Sequence, residues 1–179
     1  MSMIRFIALV VALAGATALF ATTDARAQTK YTISRAPSGS SSYPQQLALD
    51  VGDAPGHQVR VYQLHFNYPE HDLAFAGVLV TESEVYGFSD YTNFNGPFWN
   101  YQVYTLQDGN KIFSRSAGTS LATTKADGSR VVRYSFVENF VGGTGKFKGM
   151  RGQVTGTGER GTVAKSVTQE SHGEYWIEQ

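Results

Sequence analysis

Apolar and polar residues alternate along most of the chain, and the alternation is broken at short intervals by glycine, proline and asparagine. Val59 to Phe66 is rich in β-branched and aromatic residues and reads as a strand, ended by Asn67-Tyr68-Pro69. Ala74 to Phe88 leans apolar, with Gly77 placed to bend or bulge it; a short helix followed by a strand is the other reading. Asp90 to Pro97 has the Asn, Gly and Pro content of a loop. Trp99 to Leu106 alternates, Gln107-Asp108-Gly109-Asn110 turns, and Lys111 to Ser116 continues outward. A second hairpin runs from Gly118 to Thr124, through Ala126-Asp127-Gly128-Ser129, into Arg130 to Phe140. Asp-Gly between alternating runs signals a hairpin because the turn needs positive φ. Gly152 to Gly158, Val163 to Thr168 and Gly173 to Ile177 complete the set. No stretch beyond the N-terminal segment carries a sustained helical stripe. About eight strands joined by short turns predict an all-β, antiparallel, eight-stranded barrel, with a sandwich as the alternative.

The N-terminus changes the picture. Arg5 precedes the uncharged run Phe6 to Phe20, and Ala25-Arg26-Ala27 offers small residues where a signal peptidase reads. The run is shorter than the roughly 20 residues of a spanning helix. Residues 1–27 are therefore expected to be a signal peptide cleaved between Ala27 and Gln28, which places the protein in the periplasm or outside the cell. Residues 28–55, with Ser38-Gly39-Ser40-Ser41-Ser42, read as a mobile lead-in holding at most one short strand. The barrel is expected over 56–179.

Composition excludes several classes. Lys plus Arg and Asp plus Glu both number 15, a formal net charge of +0, so no electrostatic footprint for nucleic acid or an anionic membrane is present. With no cysteine there is no disulfide, thiolate nucleophile, thiolate metal site or lipoprotein anchor. His57, His65, His71 and His172 lack the spacing of a simple metal site, and neither metal nor cofactor is expected. His65 shares a face with Val61 and Gln63 and is a candidate core-facing histidine.

Val141-Gly142-Gly143-Thr144-Gly145-Lys146-Phe147-Lys148-Gly149-Met150-Arg151-Gly152 resembles the glycine-rich signature of the allene oxide cyclase and dirigent barrels. Gly56-His57, Asn95-Gly96-Pro97, Gln107-Asp108-Gly109 and Gly173-Glu174-Tyr175-Trp176 look like pieces of bacterial secreted members of that group. The resemblance covers Gly56 to Gln179. It implies an eight-stranded antiparallel barrel with an apolar central cavity, used in plant members to steer ring closure or radical coupling of small hydrophobic molecules. The catalytic Glu, Asn and Tyr set of the plant enzymes has no matching motif here.

The glycine segment fails as a phosphate loop, since Phe147 stands where a hydroxyl is required. It reads instead as a tight turn and close backbone crossing. No Gly-x-Ser-x-Gly elbow supports serine hydrolysis.

Glu138 is the candidate catalytic residue. Val132, Tyr134, Phe136, Glu138 and Phe140 share one strand face, and a carboxyl turned into an apolar cavity has a raised pKa suited to general acid or base work. Tyr134, Phe136 and Tyr104 are candidate ligand-lining residues; Arg115, on a face with Lys111 and Phe113, is the candidate partner for an anionic group. Tyr62, Trp99 and Trp176 read as core. Three functions fit: a barrel that binds or steers a small hydrophobic molecule, an isomerase or cyclase using Glu138, and a non-enzymatic extracellular component that self-associates.

Overall fold

The computed structural model describes residues 30–35, 40–68, 73–161 and 167–178. The expected signal peptide and its cleavage site, Ser38-Gly39, His71, and residues 162–166 of the expected strand Val163 to Thr168 lie outside these.

The chain is all-β and antiparallel. Its strands are β1 (Lys30–Arg35), β2 (Ser40–Asp50), β3 (His57–Asn67), β4 (Ala74–Phe75), β5 (Val78–Thr92), β6 (Gly96–Leu106), β7 (Lys111–Thr124), β8 (Arg130–Gly143), β9 (Met150–Gly161) and β10 (Val167–Ile177). The one helical element among the described residues is a 3-10 turn, Gly145–Phe147. The segment expected to be a lead-in supplies two strands. Lys111 to Ser116 and Gly118 to Thr124, expected as separate strands, are one.

Both Asp-Gly turns form. Gly109 and Gly128 take φ of +79° and +82°, and Asp108 and Asp127 each accept a hydrogen bond from the backbone two residues on. The expected loop from Asp90 to Pro97 is instead a tight turn. Asn93 and Phe94 both take positive φ, so β5 and β6 are extended into it. Gly77 sits in the turn between β4 and β5, giving a short hairpin and no helix.

Hydrogen bonding runs in the order β1-β10-β9-β8-β7-β6-β5-β3-β2, with β4 off the path. This replaces the expected closed eight-stranded ladder: among the described residues β1 and β2 end the path and do not pair with each other. The sheet nevertheless curls strongly. Tyr43 on β2 accepts a 2.5 Å hydrogen bond from Arg160 on β9, whose guanidinium lies 4.5 Å from the ring centre. Only five Cα steps join Arg35 to Ser40, so the two ends of the path are within about 19 Å there.

The apolar core fills one end of the curl. The β4 hairpin folds over it and drops Phe75, fully buried, among Tyr104, Phe140 and Tyr175, each with its ring centre 5.4 Å away. The backbone N–H of Ala76 donates to the Tyr175 hydroxyl at 2.6 Å and pins the hairpin to β10. Phe147, Met150, Ile112 and Leu106 complete the floor. The glycine-rich turn seals the corner below. Thr144 and Lys111 exchange two 2.8 Å hydrogen bonds, and Glu178 N–H donates to Gly149 at 2.9 Å. A Cβ on Gly143 or Gly149 would stand 2.5 or 2.1 Å from the carbonyl oxygens of Lys111 and Glu178. Close backbone crossing is thus the reason for those two glycines.

Candidate functional site: a cup above the aromatic floor

The other end of the curl is hollow. A cavity of about 470 Å³ is lined from β2, β3 and β5 through β10. Its volume falls in the range of small-molecule sites.

Four inward aromatic residues face glycines on neighbouring strands. Tyr62 pairs with Gly87, Phe98 with Gly118, Phe136 with Gly156 and Tyr134 with Gly158. A Cβ on any of these glycines would come within 2.2 to 2.5 Å of the facing ring. The rings therefore lie down over bare backbone, where side chains would otherwise hold them upright. Large inward residues can then coexist with an open lumen, because each ring occupies the space of a missing side chain.

Polar groups are interspersed among the rings. Tyr62 donates to Asn100 Oδ1 at 2.7 Å, and Asn100 donates to Ser116 Oγ at 3.3 Å. Tyr134 donates to Gln169 Oε1 at 3.2 Å, and Gln102 donates to Ser83 Oγ at 2.9 Å. Burial pushes the Tyr62 and Tyr134 hydroxyls well above the usual phenol pKa, so both remain donors at any physiological pH.

Glu138 lies at the bottom, 4% exposed and lining the cavity. Its Oε1 accepts hydrogen bonds from Tyr104 at 2.7 Å and Ser114 at 2.5 Å. Two hydroxyls donating to one oxygen fix the orientation of the carboxyl group. The mouth is cationic and aromatic. Arg60 and Arg160 line it, and Phe94, held in its strained turn, lies beneath the guanidinium groups of Arg60 and Arg130 at 4.8 and 5.5 Å. Ser120 Oγ donates to the Phe94 carbonyl at 2.7 Å and braces the turn. Along β8, Val132 near the mouth and Glu138 at the floor are six residues apart, about 20 Å of strand.

Glu138, Tyr134 and Phe136 share the lumen, and Tyr104 bonds Glu138 from the floor. Arg115 does not join them. It is exposed on the outer surface, opposite Tyr101 and Asn139, and the lumen face of β7 is Ser114, Ser116 and Ser120. His65 also faces outward, bonded to Glu84 at 2.5 Å and Asn67 at 3.0 Å. Arg60, Arg160, Asn100, Gln102 and Ser114 escaped the sequence reading. Arg60 alternates with Tyr62 and Leu64 on β3, which was the available signal. Among the described residues no group of three or more His, Asp or Glu side chains is placed to hold a metal.

No protein-family model matches the chain, and no curated protein matches it.

Proposed function

We propose that the protein is an exported β-barrel that binds or steers a small, elongated, largely apolar molecule, in the manner of the allene oxide cyclase and dirigent barrels that the sequence resembles. In this reading β1 and β2 form one closing stave: the first half pairs with β10 and the second with β3. The observation that carries the proposal is the cavity itself, kept open by rings lying over glycine and floored by an oriented carboxyl group. The apolar body of a ligand would lie along Leu64, Val85, Phe98 and Phe136, and a hydroxyl or carbonyl at its end would meet Glu138.

Titration with a fluorescent apolar probe and native mass spectrometry of the purified protein test this. Saturable one-to-one binding, weakened at least about tenfold by replacing Phe136 with Asp, is the expected result. Absence of saturable binding in folded protein would overturn it.

A second reading is an isomerase or cyclase. The fixed Glu138 carboxyl favours it, since proton transfer needs a group held at hydrogen-bond distance from the reacting atom. Glu138→Gln keeps an oxygen for Tyr104 and Ser114 but removes the transferable proton. Turnover lost with probe binding retained would identify an enzyme; unchanged turnover would exclude Glu138 as the acid or base.

A further inference from the structure

Outside the sheet, opposite the cup, apolar residues form a continuous row. Leu47, Val61, Phe88, Trp99, Ala117 and Val137 are directly paired, strand to strand, from β2 to β8. Six strands at about 4.8 Å spacing make this row about 24 Å wide. Tyr86 and Tyr101, paired with each other, flank it on the same face, and Leu49 flanks it on the other side. These side chains are open to solvent: Leu47 is 59% exposed, Val61 57%, Tyr86 50% and Trp99 48%. Phe88 and Trp99 pack together with ring centres 5.6 Å apart, giving the band a flat aromatic centre.

The band has the size and charge of a subunit contact. Four part-exposed rings and five aliphatic side chains present about 700 Å² of apolar surface. The largest patch on a typical monomer is about 300–600 Å², and each partner in a standard interface contributes about 800 Å². From Leu47 to Val137 the row contains no charged residue. The next row begins with Gln45 and Gln63 and reaches Arg115 and Asn139 beyond the tyrosines, which makes a polar rim. A lipid surface would call for a basic fringe around an apolar face, and Arg115 is the single cation in these two rows. The chain has a formal net charge of +0, so two copies do not repel. A two-fold pairing lets one patch serve both subunits without a second kind of chain.

We infer that this outer band is the contact surface for a second copy of the chain, joined face to face through Val61, Phe88 and Trp99. The inference does not depend on what the cup binds. Arg115, remote from the lumen, then belongs to the rim of the contact.

Sedimentation equilibrium and light scattering over about 1–100 µM test it, a span that brackets micromolar affinity. The expected mass is twice that of one chain. Val61→Lys combined with Trp99→Lys should weaken association by more than about 100-fold, with an unchanged far-UV circular dichroism spectrum. Should that variant fail to fold, Ala117→Arg adds bulk and charge to the row without removing packing and should have the same effect. A wild-type mass of one chain at every concentration would overturn the inference. So would a folded variant whose association is unchanged.

Discussion

Tyr134 lies against Gly158 so closely that a Cβ added to the glycine would stand 2.2 Å from the tyrosine Cζ. The two residues are directly paired between β8 and β9, and the ring fills the place where a side chain would rise.

Gly158→Ala should therefore push the Tyr134 ring off the wall and into the lumen. Overpacking of this kind costs about 1–3 kcal/mol. A fall in the thermal midpoint together with weaker binding of the apolar probe is expected. The control is Gly52→Ala: a Cβ there meets nothing within 4 Å, and its positive φ of 87° is its own source of strain, so it should lower stability without touching probe binding. Equal loss of binding in both variants would show that the ring position does not set the lumen.

Gly145 has a φ of +51°, and its Cβ would lie 2.3 Å from Asn110 Oδ1. Gly145→Val should cost on the order of 1–3 kcal/mol, measured by denaturant unfolding. Lys146→Ala removes an exposed 3.6 Å ion pair with Asp108 and should change stability by less than about 1 kcal/mol. The reverse ranking would mean that the segment serves a ligand and not a turn.

Two histidines join β3 to β5. Hydrogen bonds donated to the carboxylate of Asp53, and then to that of Asp90 at 2.7 Å, raise the His57 pKa above its usual 6.5, and one donated to Glu84 does the same for His65. Both imidazoles bind a proton more tightly when the chain is folded. Their contribution is complete below pH 6.5 and is lost as pH rises through the higher folded values. The melting temperature should decline as pH rises from about 6.5 toward 8. His57→Gln with His65→Gln should flatten that decline. A midpoint that rises over the same range would reverse the sign assigned here.

The hairpins at Asp108-Gly109 and Asp127-Gly128 were legible because their chemistry is local: a carboxylate bonding the backbone two residues on, then a residue free to take positive φ. That Glu138 shares a face with Tyr134 and Phe136 followed from alternation. β1 and β2 were not legible, because a serine-rich stretch becomes strand only through partners elsewhere, and Lys30 pairs with Trp176 at the far end of the chain. The Asn93-Phe94 turn was hidden because a phenylalanine at positive φ contradicts local preference, and the bracing comes from Ser120. Arg115 was misplaced because Phe113, its neighbour on the face, suggested an interior. That ring stacks outside on Tyr101 at 6.4 Å. Where both faces of a strand carry aromatic residues, alternation shows which residues go together but not which side is inside.

The pairing of β1 with β10 gives the chain a temporal constraint. A ribosome makes Glu174, the ion-pair partner of Lys30, 144 positions after it. The hairpins from β5 to β9 can form as they emerge, whereas β1 has nothing to pair with until β10 has been made. Closing so long a loop is the slow step that a high contact order imposes, and until then the free edges of β1 and β10 stand open to any other strand.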